Sequence, residues 1–182
     1  MQQTAEISPF YAQGLRFSCT RCSSCCRFEK GYVFLSQKDA SKLAASLNMD
    51  YNNFIERYCR WIPSMNGGQN RKLELSLKEK SNYDCIFWTP ELSTSPQGGL
   101  YGTVSGVPNE GCQVYESRPL QCRSFPFWQS VLSNKGSWEM TSKDCPGMGR
   151  GVHFSQDSIK KWLAMRHNEP IISRNSVSKG EF

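Results

Sequence analysis

Four thiols fall within eight residues: Cys19-Thr20-Arg21-Cys22-Ser23-Ser24-Cys25-Cys26. Cysteine in a packed core acts as a small hydrophobe and occurs singly, so this density points to chemistry instead of packing. Thiols so crowded share a metal ion or an iron–sulfur cluster, or act as redox groups. Five more follow, Cys59, Cys85, Cys112, Cys122 and Cys145. Four of these lie beside Gly, Pro or Asp, at expected turns or strand edges. Cys59 instead closes an expected helix between Tyr58 and Trp61 and reads as a buried structural cysteine. The remaining eight, Cys19, Cys22, Cys25, Cys26, Cys85, Cys112, Cys122 and Cys145, divide into two sets of four. Four thiolates make a closed tetrahedral zinc site or hold a cluster equally well. The Cys19-x2-Cys22-x2-Cys25 spacing opens like a bacterial ferredoxin run, but Cys26 then follows directly. Neighbouring side chains on an extended backbone point apart, so Cys25 and Cys26 are expected to serve different metals. The spacing identifies a metal and leaves zinc and iron open.

Composition bounds the alternatives. The chain has 182 residues and nine cysteines, and 38% of it is hydrophobic. That length builds a real core, and an odd cysteine count at about 5% is no disulfide scaffold. Met1 to Phe10 lacks a secretory pattern and no long apolar run occurs, so a cytoplasmic, membrane-free protein is expected. In a reducing compartment clustered cysteines are metal ligands or redox groups. The formal charge of +6 suggests nucleic acid. Eight thiolates on two zinc ions would lower it to about +2, and the basic residues are scattered, so nucleic acid is disfavoured as a partner. A protein partner stays open.

The elements that must position the thiols are short. Val33-Phe34-Leu35 reads as a strand, Ser36 with Asp39 as a capping box before a helix over 37–48, and Asp50 as the cap of a helix over 51–60 that Pro63 stops. Leu73, Leu75 and Leu77 alternate as a half-buried strand, and Cys85 to Trp88 is another. Asn66-Gly67-Gly68 is a turn, and 93–111 a long loop. Ser117-Arg118-Pro119 opens a helix. Phe127–Leu132 and Trp138–Thr141 flank Asn134-Lys135-Gly136 as a hairpin, Cys145-Pro146-Gly147 turns sharply, and Ser155 caps a last helix over 156–167. The fold class expected is α+β: a small, irregular, Cys-rich metal-binding domain with short strands and about three to four helices. Its parts are a lead-in (1–16), the cysteine-cluster domain (17–151), a C-terminal helix packed on it (152–168) and a polar tail (169–182) whose end, from residue 173, is frayed.

The whole arrangement resembles the YkgJ-type cysteine-cluster family, described as a zinc- or iron-chelating domain. Phe17-x-Cys19-x2-Cys22-x2-Cys25-Cys26-Arg27 is similar to its opening signature. Leu35-Ser36-x2-Asp39 is similar to its short link. Cys112-x2-Tyr115-x2-Arg118-Pro119-x2-Cys122-Arg123-x-Phe125-Pro126-Phe127 resembles its central motif, and Cys145-Pro146-Gly147 its closing one. The resemblance covers 17–151, implies the same eight cysteines as ligands and leaves Cys59 outside. Members are labelled metal-binding or Fe–S oxidoreductases, and longer relatives resemble flagellin lysine methylases.

Three functions follow for test: a module whose cysteines chelate zinc or iron, as an ion or an iron–sulfur cluster; an Fe–S-dependent oxidoreductase or methylase-like enzyme; and a zinc-stabilised basic interaction module. Arg118 and Arg123 bracket Cys122 and are expected to offset thiolate charge. Asp84 and Asp144 are expected to form turns, His153 to lie in a surface loop, and His167 to end a helix. The glycines at 147, 149 and 151 read as a turn beside the metal in preference to a nucleotide loop. The aromatics near the cysteines read mainly as core.

Overall fold

The computed structural model describes residues 8–64, 72–90 and 111–175. In chain order its elements are β1 (Leu15–Phe17), α1 (Gln37–Ser46), α2 (Tyr51–Tyr58), β2 (Cys59–Pro63), β3 (Lys72–Leu77), β4 (Trp88–Thr89), β5 (Gly111–Cys112), α3 (Leu120–Ser124), α4 (Lys135–Asp144), β6 (Val152–Phe154), α5 (Gln156–Asn168) and β7 (Ser173–Asn175), with 3-10 turns at Ser24–Cys26 and Tyr115–Ser117. The fold is α+β, with five helices among the described residues where about three to four were expected. The Asn66–Gly68 turn, the loop up to residue 110 and the chain beyond 175 lie outside the described residues. Among the described residues no helix is long and apolar enough to cross a membrane. The chain forms two compact units: unit 1 is Met1–Cys22 with Ser124–Asn168, and unit 2 is Ser23–Arg123 with Glu169–Phe182.

Unit 2 is built on β3, the middle strand of an antiparallel sheet ordered β2-β3-β7. Its leucines alternate as expected, but Ser76 between them is also fully buried. The cause is Val33–Leu35, which runs beside β3: Leu35 N–H donates to Leu75 O at 3.0 Å and Leu77 N–H to Val33 O at 3.0 Å. Asp39 and Ser36 form the expected capping box of α1, whose Ala40, Leu43 and Ala44 are buried. Asp50 caps α2 by accepting from Asn52 N–H and Asn53 N–H, and Phe54 carries that helix into the core. This helix ends two residues before the expected 60. Cys59 is already extended and pairs with Leu77, so strand pairing claims Cys59–Pro63 before Pro63 can act as a stop. Cys59 is buried in this core, as expected. The stretch expected to fray from 173 instead begins as β7, paired with Lys72–Glu74. Polar side chains suit this edge because the backbone of β3 supplies the partners.

Unit 1 packs Phe127, Val131, Leu132, Trp138, Met148 and Ile159 around a two-stranded ladder of β1 and β6. The hairpin expected around Asn134–Gly136 is a helix, α4. Asn134 is extended and its side-chain oxygen accepts from Ser137 N–H at 2.9 Å, so the residue is an N-cap where a turn was expected. Ser155 accepts from Ser158 N–H at the start of α5, and Ile159, Trp162 and Leu163 face the core as expected. His153 lies in β6 opposite Arg16, a correction to the loop expected there, and Nε2 sits 2.9 Å from Gln13 O.

The glycines at 147, 149 and 151 pack on the segment that leads into Cys19. Ser18 N–H donates to Gly147 O at 3.1 Å, Gly149 N–H to Arg16 O at 2.9 Å and Arg16 NH1 to Gly151 O at 2.8 Å. A Cβ at position 147 would stand 2.2 Å from Ser18 O. Gly147→Ala should therefore destabilise the protein by about 1–3 kcal/mol, the usual cost of forcing atoms into a packed site. Gly31→Ala, with nothing near its Cβ position, should stay within about 0.5 kcal/mol of wild type. Urea unfolding of the two variants checks the difference.

Candidate metal centre

Five of the expected ligands belong to unit 2: Cys25, Cys26, Cys85, Cys112 and Cys122. Ser23, at φ 63°, enters the left-handed region, and Cys26 N–H donates back to Ser23 O at 2.8 Å, closing the 3-10 turn. This turn draws the adjacent thiols of Cys25 and Cys26 to 3.7 Å. The divergence expected for an extended backbone is thus corrected: the turn makes neighbours of them. Cys85 N–H then donates to Cys26 O at 2.8 Å. One residue out on each side, Arg27 Nε donates to Asp84 Oδ1 at 3.4 Å. Asp84 also accepts from Asn82 Nδ2 at 2.8 Å and its N–H donates to Asn82 Oδ1, so it makes the expected turn and an ion pair besides. Trp88 N–H donates to Cys85 O at 2.9 Å, and Trp88 pairs with Cys112 across β4 and β5. Cross-strand partners share a face, so the indole and the Cys112 thiol are neighbours.

Cys122 lies on α3, whose start is fixed from another element. Leu120 N–H donates to Asp39 Oδ1 at 2.7 Å. The cap expected from Ser117 is therefore supplied by Asp39, and Ser117 instead ends the 3-10 turn Tyr115–Ser117. Arg123 NH2 stands 3.9 Å from the same Oδ1 and its Nε donates to Arg118 O.

The charge states of the thiols register their proximity. Contact with Cys26 holds Cys25 down at about 7, helped by Arg118. Cys26 is pushed up, first by that contact, then by loss of water and the charges of Cys25, Cys122 and Cys85. Removal from water pushes Cys122 well up, with Cys85, Cys25 and Cys112 adding to it and Arg118 opposing. Loss of water likewise raises Cys85, and raises Cys112 to about 11. Arg118 is thus the guanidinium that acts on the thiols; its Nε donates to Tyr115 O and its Cζ lies 3.7 Å from the Tyr115 ring centroid. Among the described residues no group of three or more Cys, His, Asp or Glu side chains has the spacing of a metal site. The five thiols are electrostatic neighbours without forming a closed tetrahedron.

Cys19, Cys22 and Cys145 belong to unit 1. Cys19 and Cys22 are exposed and Cys145 is half-buried against the core. Ser18 alone separates Cys19 from β1, and Gly147, two residues after Cys145, is bonded to Ser18. The expected Cys145-Pro146-Gly147 turn closes with Met148 N–H donating to Cys145 O at 3.1 Å. No cysteine is in a disulfide. Asp144 ends α4 exposed, and His167 ends α5 as expected. Among the aromatics near cysteines, Phe87, Trp88 and Phe127 are core, whereas Phe28 is largely exposed. Two features escaped the sequence: the second use of the Asp39 carboxylate, and Trp88 Nε1, which is buried without a hydrogen-bond partner among the described residues. A capping box signals only the first of Asp39's two bonds, and no local pattern signals an unsatisfied indole.

A family model named CxxCxxCC and described as "Putative zinc- or iron-chelating domain" matches residues 18–146. An uncharacterized protein of Methanocaldococcus jannaschii is 25% identical over 125 residues, which are 69% of this chain and 52% of that protein. The chain therefore spans about half the length of this relative. No solved structure matches.

The thiol order can be read by alkylation of the metal-free, reduced protein. The thiolate is the nucleophile, so Cys25 should become reactive as pH rises through about 7. Burial holds Cys59 up at about 12, so it should stay protected throughout that range. Mass mapping after a brief iodoacetamide pulse checks this; equal labelling of Cys25 and Cys59 would contradict it.

Proposed function

Since the chain belongs to the CxxCxxCC family, we propose that Cys26, Cys85, Cys112 and Cys122 hold its zinc or iron within unit 2, with the exposed Cys25 as a fifth thiol at the rim. Cys19, Cys22 and Cys145 are a second ligand group in unit 1, which completes the eight expected ligands.

The observation that carries this reading is the match of residues 18–146 to a zinc- or iron-chelating domain, supported by the 3.7 Å approach of the Cys25 and Cys26 thiols and the bond from Cys85 N–H to Cys26 O. Sulfur donors suit zinc, iron and iron–sulfur clusters. A bound cation would supply the positive charge that lets these half-buried thiols ionise together. Within the chain Arg118 offsets part of that charge, Phe87 and Trp88 limit water, and the turn at Ser24–Cys26 sets two thiols side by side. The donor set therefore fits the group. An iron–sulfur cluster has its own supporting observation: Trp88 Nε1, a buried N–H with no partner, is carried on the residue opposite Cys112. N–H donors to sulfur are among the features that set a cluster's potential. A redox role would follow from the cluster. Clustered thiols of a chelating family suit a reducing compartment, so we place the protein in the cytoplasm.

Metal and acid-labile sulfide per chain, measured on protein purified without oxygen, test the reading. Iron with matching sulfide supports the cluster; zinc without sulfide supports the ion. Cys122→Ser and Cys85→Ser should lose the unit 2 metal and become protease-sensitive, because metal binding energy is folding energy. Cys59→Ser should retain full metal. Unchanged metal content in all three variants would reject the assignment.

A further inference from the structure

We propose that Asp39 is the positioning residue of the metal centre, fixing Cys122 by tying the start of α3 to the start of α1; this rests on the metal-binding reading above. The Asp39 side chain is 2% exposed, and both carboxylate oxygens are engaged. Oδ2 accepts from Ser36 N–H at 3.1 Å and from Ser36 Oγ at 2.9 Å. An ordinary capping box needs no more than this oxygen. Oδ1 reaches out of the box to accept from Leu120 N–H, 81 residues along the chain, at 2.7 Å, and faces Arg123 NH2 at 3.9 Å. Leu120 and Arg123 stand on either side of Cys122 in the same short helix. Pro119 precedes them and has no N–H, and α3 has only five residues, so it has few bonds of its own to set its orientation. Gln121 ties α3 to the chain ahead of α1, accepting from Phe34 N–H at 3.0 Å and donating to Tyr32 O at 2.8 Å, and the buried Asp39 carboxylate adds the bond that joins the helix carrying Cys122 to α1 itself.

The carboxylate is required for both bonds at once. An amide has one acceptor oxygen and turns a donor toward the other side. In Asp39→Asn, either Ser36 or Leu120 would face an N–H where it had an acceptor. Outer partners of metal ligands typically change affinity by about 10–100-fold when removed. Asp50 offers a control, since it caps α2 in the same unit without touching a cysteine-bearing element.

Zinc and Co(II) are titrated into wild type, Asp39→Asn and Asp50→Ala under anaerobic conditions. Wild type that binds neither metal sinks the metal-binding reading itself. Given wild-type binding, Asp39→Asn should weaken both metals by about 10–100-fold and shift the Co(II) thiolate bands. Asp50→Ala should leave affinity and bands as in wild type. Wild-type affinity and spectrum in Asp39→Asn, or an equal loss in Asp50→Ala, would overturn the role of Asp39. If Asp39→Asn does not fold, wild-type amide exchange decides. Coupling is reciprocal, so zinc should slow exchange at Leu120 more than at Ala44 in the body of α1. Equal slowing at both would count against the link.

Discussion

Thiolates repel one another and lose hydration when gathered, and the rest of unit 2 follows from that constraint. Loss of water raises Cys85, Cys112 and Cys122, and the pair at Cys25 and Cys26 shares its charge unequally. A scaffold that sets such groups close must oppose the repulsion with covalent connectivity and packing. Here the means are a left-handed Ser23, a tight turn, the Cys26–Cys85 backbone bond and the β4–β5 ladder. Arg118 contributes the one guanidinium shown acting on several of the thiols, and a metal would complete the neutralisation.

The supporting architecture is economical in regular structure. Among the described residues the longest helix has 13 residues and the longest strand six. Short elements of this size gain little from their own hydrogen bonds, so orientation depends on bonds between elements. Asp39 illustrates this in unit 2, and Gly147 and Gly151 illustrate it in unit 1, where absent side chains let Ser18 pack closely against both. The cores are correspondingly distinct. Leu35, Leu43, Phe54 and Leu75 serve unit 2, while Phe127, Trp138 and Ile159 serve unit 1.

Local chemistry was the legible part. The capping box at Ser36 and Asp39, the Asp50 cap, the alternating leucines of β3 and the face of α5 each follow from a pattern within one element. What eluded the sequence depended on a partner elsewhere. Asn134-Lys135-Gly136 fits a turn and a helix start equally, and the core around Trp138 selects the helix. Ser173–Asn175 has no apolar pattern, and only the unfilled edge of β3 makes it a strand. The cysteine pattern was legible as that of a zinc- or iron-chelating family. The neighbourhood of the thiols was not, because the turn joining Cys25 to Cys26 relies on a non-glycine residue at positive φ, which composition does not announce.

The place of β7 in the chain has a consequence for synthesis. Unit 2 is interrupted by residues 124–168 and resumes only at Glu169. A nascent polypeptide that has emerged as far as Asn168 leaves the Lys72–Glu74 stretch of β3 with one margin still open, while Val33–Leu35 already covers Leu75–Leu77. Such margins recruit foreign strands. The vulnerable interval on the ribosome therefore lasts through translation of the whole insertion.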